Sequence, residues 1–285
     1  MKQSTRPLTS TTGKSLHVRV WAPDQPGSEP NRAVIIAHGL GEHCGRYSHV
    51  AQHFVDRGFR VYGADHVGFG KSGGRRGDVR GGFGTYESDL IRVSEFARKE
   101  LGHDARFLLL GHSMGGLVAL GVMLDHPEIA REAVLSGPAL RPARSARAGK
   151  LKLARKLRHV APFMTTDHGI PADRVCSDEE VVSAYVSDPL VHRRISARLI
   201  VTLIDEGERI RAAAGNFAED LSVLLLQGED DRIARADDAQ AFAAQLSCRN
   251  TELQVFPGMR HEVFNERERD KTFETMDRFL GLEAA

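Results

Sequence analysis

The pentapeptide Gly111-His112-Ser113-Met114-Gly115 places a serine hydroxyl between two glycines. It matches G-x-S-x-G, a pattern in which a tight strand-to-helix turn exposes the serine as a nucleophile. The same five residues also fit an ordinary glycine-rich turn whose serine caps a helix. A predicted strand before it, Arg106 to Leu110, and an apolar helix after it, Leu117 to Leu124, favour the nucleophile.

A serine hydroxyl is a weak nucleophile at neutral pH and needs an adjacent base. In proteins with this turn the acid and then the histidine follow the serine along the chain. His261 is the one of thirteen histidines that lies beyond His192, so we predict that it is the base. The acid is expected after the preceding strand, where Glu229, Asp230 and Asp231 are adjacent and leave the choice open.

Ester or amide hydrolysis by a serine also needs two backbone N–H groups that bind the oxyanion. The residue directly after the nucleophile supplies one of them, which predicts the N–H of Met114. The second is expected from the loop His38-Gly39-Leu40-Gly41-Glu42-His43. Glycines on both sides of Leu40 allow the backbone to turn its N–H inward, so we assign the second donor to Leu40.

These side chains require a scaffold in which strands and helices alternate. The unbroken apolar run Ala33 to Ala37 predicts a strand buried on both faces of a parallel sheet. The alternation continues to Ser136 and resumes at Leu221, which predicts a mostly parallel, doubly wound α/β sheet. Between them the chain is mostly helical, with no convincing buried strand. We therefore predict a core of residues 1–137 and 221–285 and a helical cap, the inserted segment, of residues 138–220.

Several motifs occur together in a fixed order along the chain. They are H-G-L-G-E-H from His38, D-H-V-G-F-G-K-S from Asp65, G-H-S-M-G-G, S-D-P-L from Ser187, G-x-x-D-R-I and G-x-x-H-E. In this order they resemble the monoacylglycerol lipase group of α/β-hydrolases, also described as lysophospholipase-like or serine-aminopeptidase-like. The resemblance runs from about Leu16 to Phe279.

The resemblance implies an α/β-hydrolase fold, Ser113 as nucleophile, Asp231 as acid, His261 as base and a cap over the site. Asp231 is preferred over Asp230 because the apolar residue two places further on, Ile233, matches the spacing of that group. Position 69 is Phe, where related sequences often carry histidine. The segment from Arg141 to Ile210 is matched least, and a cap shapes the acyl pocket.

We therefore expect a serine hydrolase of carboxylic esters that works through an acyl-enzyme. The resemblance implies monoacylglycerols or similar single-chain acyl esters as substrates. An amide or peptide hydrolase of the serine aminopeptidase type is an alternative, because the three catalytic side chains do not choose between ester and amide. A hydrolase-fold binding protein without turnover is the alternative from another class.

Two other patterns suggest a cofactor or a metal. The glycine-rich run Gly68 to Gly73 fits G-x-G-x-x-G, but Gly74 to Gly77 reads as loop rather than the helix that a dinucleotide site needs. His49 and His53 have the spacing of metal ligands on a helix, but the glutamate of H-E-x-x-H is missing. We expect no cofactor and no bound metal.

The chain has 285 residues, with 39 Lys and Arg against 38 Asp and Glu. A formal charge of +1 gives no reason to expect a nucleic-acid partner. Cys44, Cys176 and Cys248 are too few and too scattered for a disulfide framework. No secretory signal and no spanning apolar run is visible, so we predict a cytoplasmic protein.

One local charge asymmetry departs from this balance. The segment Arg141 to Arg158 carries eight Lys or Arg, and no acid occurs between Glu132 and Asp167. Apolar residues recur along it at helical spacing, namely Leu153, Leu157, Val160 and Met164. This basic amphipathic pattern predicts either peripheral contact with an anionic membrane or a helix that packs its leucines on the core.

Overall fold

The computed structural model describes residues 1–24, 31–141 and 148–282. Within these ranges an eight-stranded sheet runs through the centre in the order β1-β2-β4-β3-β5-β6-β9-β10. β1 and β2 are antiparallel to their neighbours, and the other strands pair in parallel. The strands are β1 Lys2–Thr9, β2 Ser15–Ala22, β3 Arg32–Ala37, β4 Arg60–Ala64, β5 Arg106–His112, β6 Glu132–Ser136, β7 Thr165–Asp167, β8 Arg194–Ser196, β9 Ser222–Gly228 and β10 Asn250–Phe256.

Eight α-helices are described. They are α1 Ser48–Val55, α2 Gly84–Leu101, α3 Met114–Asp125, α4 Ala148–Val160, α5 Glu179–Ser187, α6 Ala197–Ala212, α7 Ala236–Ala243 and α8 Arg269–Leu280. The strand–helix alternation predicted from the apolar pattern is confirmed, and α3 begins three residues earlier than the predicted Leu117. It begins at Met114 because the turn at Ser113 feeds directly into the helix.

The strand run Ala33 to Ala37 is buried on both faces, as predicted. Ala33, Ile35 and Ala37 lie in the core that includes side chains of α2, α3, α6 and α7. Val34 and Ile36 lie in the core on the other face, which includes side chains of α1 and α8. Successive strand residues point to opposite faces of the sheet, so an all-apolar strand packs against the helical layers on both faces.

The register of the central strands brings several loops to one edge of the sheet. Ala37 at the end of β3 pairs with Ala64 at the end of β4 and with Gly111 near the end of β5. Gly111 pairs in turn with Leu135 near the end of β6. The loops that follow these parallel strands therefore leave from the same carboxyl edge, which is where open α/β sheets bind ligands.

The inserted segment contributes helices α4, α5 and α6, as its pattern predicted. It also contains a short antiparallel pair, β7 with β8, in which Ile195 is buried. The expectation of no buried strand in this segment is therefore wrong. The two strands are three residues long and nearly thirty residues apart, so neither has a periodic pattern of its own.

The apolar stripe of α4 is divided between two environments. Leu157 is half-buried and packs with Ala154 against α6. Leu153 is 57% exposed, Val160 is 79% exposed and Met164, just beyond the helix, is 50% exposed. Residues 142–147 of the basic segment lie outside the described residues.

The structure also bears on membranes and cysteines. Of the helices in the described ranges, none combines the length and apolar character that crossing a bilayer demands. Cys44, Cys176 and Cys248 are buried free thiols.

Candidate active site

The turn at Ser113 is strained in the way that the G-x-S-x-G pattern predicts. Ser113 has φ 52° and ψ −116°, and it is the one non-glycine with positive φ in the described residues. A Cβ at Gly111 would lie 2.5 Å from the carbonyl oxygen of Gly115, and one at Gly115 would lie 2.0 Å from the carbonyl oxygen of Ala37. Both flanking positions therefore exclude a side chain, and the backbone lifts Ser113 out of the sheet.

Asp231 and His261 meet beyond the ends of β9 and β10. Oδ2 of Asp231 lies 2.7 Å from Nδ1 of His261. The other carboxylate oxygen accepts backbone N–H bonds from Ile233 at 2.7 Å and Ala234 at 2.9 Å, and Gln227 donates to Oδ2 at 2.9 Å. Both oxygens of this buried carboxylate are thus hydrogen-bonded, and these bonds fix the orientation of the carboxylate toward the imidazole of His261.

The two neighbouring carboxylates point elsewhere. Asp230 and Glu229 are exposed, and their backbone N–H groups bond to Met259 O and Phe256 O. Of the three adjacent acids, Asp231 is the one that contacts His261.

Opposing effects set the pKa values of this pair. Burial favours the neutral form of each group, which by itself raises the pKa of Asp231 and lowers that of His261. The opposite charge and the hydrogen bond between them outweigh burial. The pKa of Asp231 lies below its usual value, and the pKa of His261 lies above its usual value.

Ser113 and His261 line the same cavity. They are 8% and 4% exposed, and the cavity has room of about 20 Å³, enough for about one water molecule. In the part of the chain that the structure describes, no hydrogen bond joins the Ser113 hydroxyl to His261. Such bonds often tighten only when substrate binds. Ile170, Val175 and Tyr185 of the inserted segment form part of the cavity wall.

Hydrogen bonds through His38 and Glu42 fix the loop after β3, which was predicted to supply an oxyanion donor. The backbone N–H of His66 donates to Nε2 of His38 at 2.8 Å, so the proton of this imidazole is on Nδ1. Nδ1 lies 2.8 Å from the Gly39 carbonyl oxygen and donates to it. Glu42 accepts the Gly39 N–H at 2.7 Å.

These contacts orient the peptide that joins Gly39 to Leu40. The described residues contain no cis peptide, so the Leu40 N–H points to the opposite side from the Gly39 carbonyl. The carbonyl faces the buried His38, and Leu40 lines the cavity with Ser113. The N–H of Met114 lies in the first turn of α3, where helix N–H groups have no partner within the helix.

A buried charged cluster beside the cavity was not predicted from the sequence. Arg46 bonds to Glu262 in bidentate fashion, at 2.7 Å for both contacts, and to Glu42 at 2.6 Å. Tyr47 donates to Glu42 at 2.7 Å, and the Arg46 guanidinium lies 4.8 Å from the ring centre of Tyr185. Both glutamates occur in the motifs H-G-L-G-E-H and G-x-x-H-E, which was the available signal.

The same cluster connects three separate parts of the chain. Glu42 belongs to the loop after β3, Glu262 follows His261, and Tyr185 belongs to the inserted segment. Burial raises and Arg46 lowers the pKa of each glutamate, and the net pKa of both lies below the usual value. They therefore remain ionised at neutral pH, with Arg46 as their shared counter-ion.

The inserted segment also clamps the loop after β3. The N–H of His192 donates to the Gly41 carbonyl at 2.8 Å, and His43 Nε2 lies 2.9 Å from Asp188. Gly41 has φ 83°, and a Cβ there would lie 2.6 Å from the His192 carbonyl. Glycine is required at this position because the inserted segment approaches it so closely.

The residues considered for a metal or cofactor have other partners. His53 bonds to Asp277 at 2.8 Å, and His49 lies 3.0 Å from the Phe264 carbonyl oxygen. Among the described residues no group of three or more His, Cys, Asp or Glu could hold a metal ion. The run Gly68 to Gly73 is loop, and the next helix begins at Gly84.

An α/β sheet with a strained serine turn, and an acid and a histidine beyond later strands, defines the α/β-hydrolase class. The sequence profile of the family Hydrolase_4, described as serine aminopeptidase, S33, matches residues 28–268. The chain belongs to this family.

Relatives of known name support the same group. A monoacylglycerol lipase of Mycolicibacterium smegmatis is 35% identical, over 87% of this chain and 86% of that protein. The mouse monoglyceride lipase is 30% identical, over 91% of this chain and 84% of that protein. A solved monoacylglycerol lipase of Paleococcus ferrophilus matches with a TM-score of 0.83 and 27% identity, over 94% of this chain and 99% of that chain. The α/β-hydrolase fold and an ester hydrolase of the monoacylglycerol lipase type, both predicted from the motifs, are confirmed.

Proposed function

We propose that the chain hydrolyses monoacylglycerols or similar single-chain acyl esters, with Ser113 as nucleophile, His261 as base and Asp231 as acid. The observation that carries this proposal is the 2.7 Å contact of Asp231 with His261, since His261 and Ser113 line the same cavity. The names of the relatives as monoacylglycerol and monoglyceride lipases supply the substrate class.

Each side chain has a defined part in the reaction. With Asp231 on Nδ1–H, the lone pair of neutral His261 is on Nε2, which accepts the Ser113 proton as the hydroxyl oxygen attacks the ester carbonyl. The N–H groups of Leu40 and Met114 bind the oxyanion of the tetrahedral intermediate. His261 then protonates the leaving alcohol, and water releases the carboxylic acid from the acyl-enzyme by the same steps.

We propose that residues 138–220 form a cap over this site. Ile170 and Val175 present apolar side chains to the cavity, which suits an acyl chain. The cavity of about 20 Å³ is far smaller than the pockets that hold drug-sized ligands, which measure roughly 300–1,000 Å³. Substrate entry therefore requires these side chains to move away from Ser113.

Peripheral membrane contact through the basic segment Arg141 to Arg158 is part of the proposal. Lys152, Arg155 and Lys156 of α4 are exposed on a helix that also exposes Leu153 and Val160. This combination of cations and apolar side chains is typical of helices that lie on anionic lipid. Flotation with anionic liposomes tests it, and binding that does not weaken with salt would contradict it.

A fluorophosphonate probe tests the nucleophile. We expect the wild type to be labelled and Ser113→Ala to be unlabelled, because the probe phosphonylates an activated serine. Equal labelling of both would reject Ser113. An unlabelled but folded wild type would favour a binding protein without turnover.

A substrate panel separates ester from amide hydrolysis. It contains p-nitrophenyl esters from acetate to palmitate, monoacylglycerols and an aminoacyl anilide. We expect ester turnover, and a preference for the anilide would favour the peptidase alternative that the family description suggests.

A further inference from the structure

A groove of about 580 Å³ lies beside the loop that follows β4. The turn between β1 and β2, the loop from Val67 to Arg80 and the first turn of α6 line it. Its volume is within the range of about 300–1,000 Å³ that ligand sites occupy. Ser113, His261 and Asp231 do not contribute to its lining.

The groove carries an excess of positive charge. Its walls contain Lys14, Arg75, Arg80 and Arg198, against one acid, Asp78. Asp78 is buried and bonds to Arg198 through two contacts of 3.2 and 2.7 Å. The other three cations are exposed, and none forms an ion pair with an acid that the structure describes. The groove therefore presents three unneutralised positive charges.

An exposed aromatic side chain, Phe163, stands at the rim of this groove. The Arg75 guanidinium lies 5.1 Å from the ring centre of Phe163, which is 49% exposed. Met164 is next to it in sequence, and Val160 ends α4 three residues earlier. The first turn of α6 fixes this stretch, because its N–H groups donate to the carbonyl oxygens of Pro162 and Met164 at 3.1 and 2.9 Å.

The groove opens on the same edge of the sheet as the candidate active site. Lys14 directly precedes β2, which is antiparallel to β4, so it lies beyond the carboxyl end of β4. The turn at Ser113 leaves from this edge as well. A surface that contacts this edge would meet both the groove and the mouth of the site.

We propose that this groove binds the phosphate-bearing headgroup of an anionic phospholipid at a membrane surface. Lys14, Arg75 and Arg80 contact the phosphate, while Phe163 and Met164 enter the boundary between headgroups and acyl chains. Cations beside exposed apolar side chains suit a bilayer surface. A free phosphate compound would use the cations but would leave the apolar rim in water. The inference rests on the proposed action on lipid esters, but its test measures binding and not hydrolysis.

The test is co-sedimentation with vesicles of phosphatidylcholine, with and without phosphatidylglycerol. We compare the wild type with the triple variant Lys14→Gln, Arg75→Gln and Arg80→Gln. Each Lys or Arg near an anionic surface contributes about 1 kcal/mol, so we expect about a hundredfold weaker binding to the anionic vesicles. Phe163→Ser with Met164→Ser should weaken binding as well, with little change in its salt dependence.

A matched control removes the same charge from the opposite edge of the sheet. Lys99 lies in the last turn of α2, Arg106 begins β5 and Arg249 precedes β10, and all three are exposed. The triple Gln variant at these positions should bind anionic vesicles nearly as the wild type does. Hydrolysis of a water-soluble p-nitrophenyl ester should be equal in both triple variants, which confirms that they are folded.

Equal losses in the two triple variants would overturn the proposal, because binding would then follow net charge alone. Unchanged binding in the groove variant would overturn it as well. If glycerol 3-phosphate binds the wild type while anionic vesicles do not, the groove serves a soluble phosphate compound and the lipid assignment is wrong. A wild type that binds vesicles but hydrolyses no ester would contradict the proposed function and leave the groove assignment standing.

Discussion

His38→Gln isolates the hydrogen bond that orients the loop after β3. In the wild type, Nε2 of His38 accepts the His66 N–H and Nδ1 donates to the Gly39 carbonyl, both at 2.8 Å. A glutamine amide oxygen can still reach the Nε2 position, but nothing replaces the donor at Nδ1. The Gly39–Leu40 peptide then loses the contact that turns the Gly39 carbonyl toward His38 and the Leu40 N–H to the opposite side.

The magnitude follows from the loss of one oxyanion donor. Complete loss of such a donor lowers kcat by about 10²–10³, and Glu42 still holds the Gly39 N–H in this variant. We therefore expect kcat to fall by about 10- to 100-fold, which is less than complete loss of the donor would cause. Burial lowers the pKa of His38 to about 4, so the substitution removes no charge at neutral pH. The unpaired Gly39 carbonyl lowers the free energy of unfolding by about 1–3 kcal/mol.

The assay is steady-state hydrolysis of a short-chain p-nitrophenyl ester, with thermal unfolding of each variant measured in parallel. KM should change little, because the oxyanion forms only after substrate has bound. His38→Asn is the matched control, because its amide nitrogen can take the place of Nδ1 and should keep most of kcat. The reasoning fails if a folded His38→Gln stays within about twofold of wild-type kcat, or if His38→Asn loses as much.

Three further predictions concern the acid, the base and the charged cluster. Asp231→Asn should lower kcat by about 10⁴ and Asp230→Asn should change it little, and the reverse result in the same ester assay would exchange their roles. Because the pKa of His261 is raised, kcat/KM should fall as pH decreases through a value above the usual 6.5 of histidine, and a limb below that value would contradict the raised pKa. Arg46→Met should lower the free energy of unfolding by about 3–5 kcal/mol at neutral pH, because Glu42 and Glu262 stay buried without a counter-ion, and a loss under about 1 kcal/mol in urea unfolding would refute this.

Elements with a local apolar pattern were predicted well. The strand at Ala33 to Ala37 and the helix predicted over Leu117 to Leu124 needed no information from distant residues. The edge strand β1 was missed because its sequence, K-Q-S-T-R-P-L-T, is mostly polar and alternates only between exposed and half-buried. Its pairing with β2 creates the strand, and the turn at Gly13, with φ 75°, was its one local signal.

Side-chain environments in the inserted segment could not be predicted either. The spacing of Leu153, Leu157 and Val160 gave one helix face, but α6 covers only the part of it that includes Leu157. Which side of an amphipathic helix faces its neighbour depends on a packing partner that is about forty residues away in sequence.

The sequence by itself determined the strand–serine–helix turn, because the close contact of Gly111 with the Gly115 carbonyl lies within the pentapeptide. The contact of Gly115 with the Ala37 carbonyl of β3 is a tertiary one. It also determined that both flanks of the inserted segment build one site, because Ser113 precedes that segment and His261 follows it. Only the tertiary structure decided which of three adjacent carboxylates contacts His261, and that Arg46, which bonds to Glu42, also bonds to Glu262, 216 residues away in sequence. These contacts depend on the order of β3, β9 and β10 within the sheet. No local sequence pattern specifies that order.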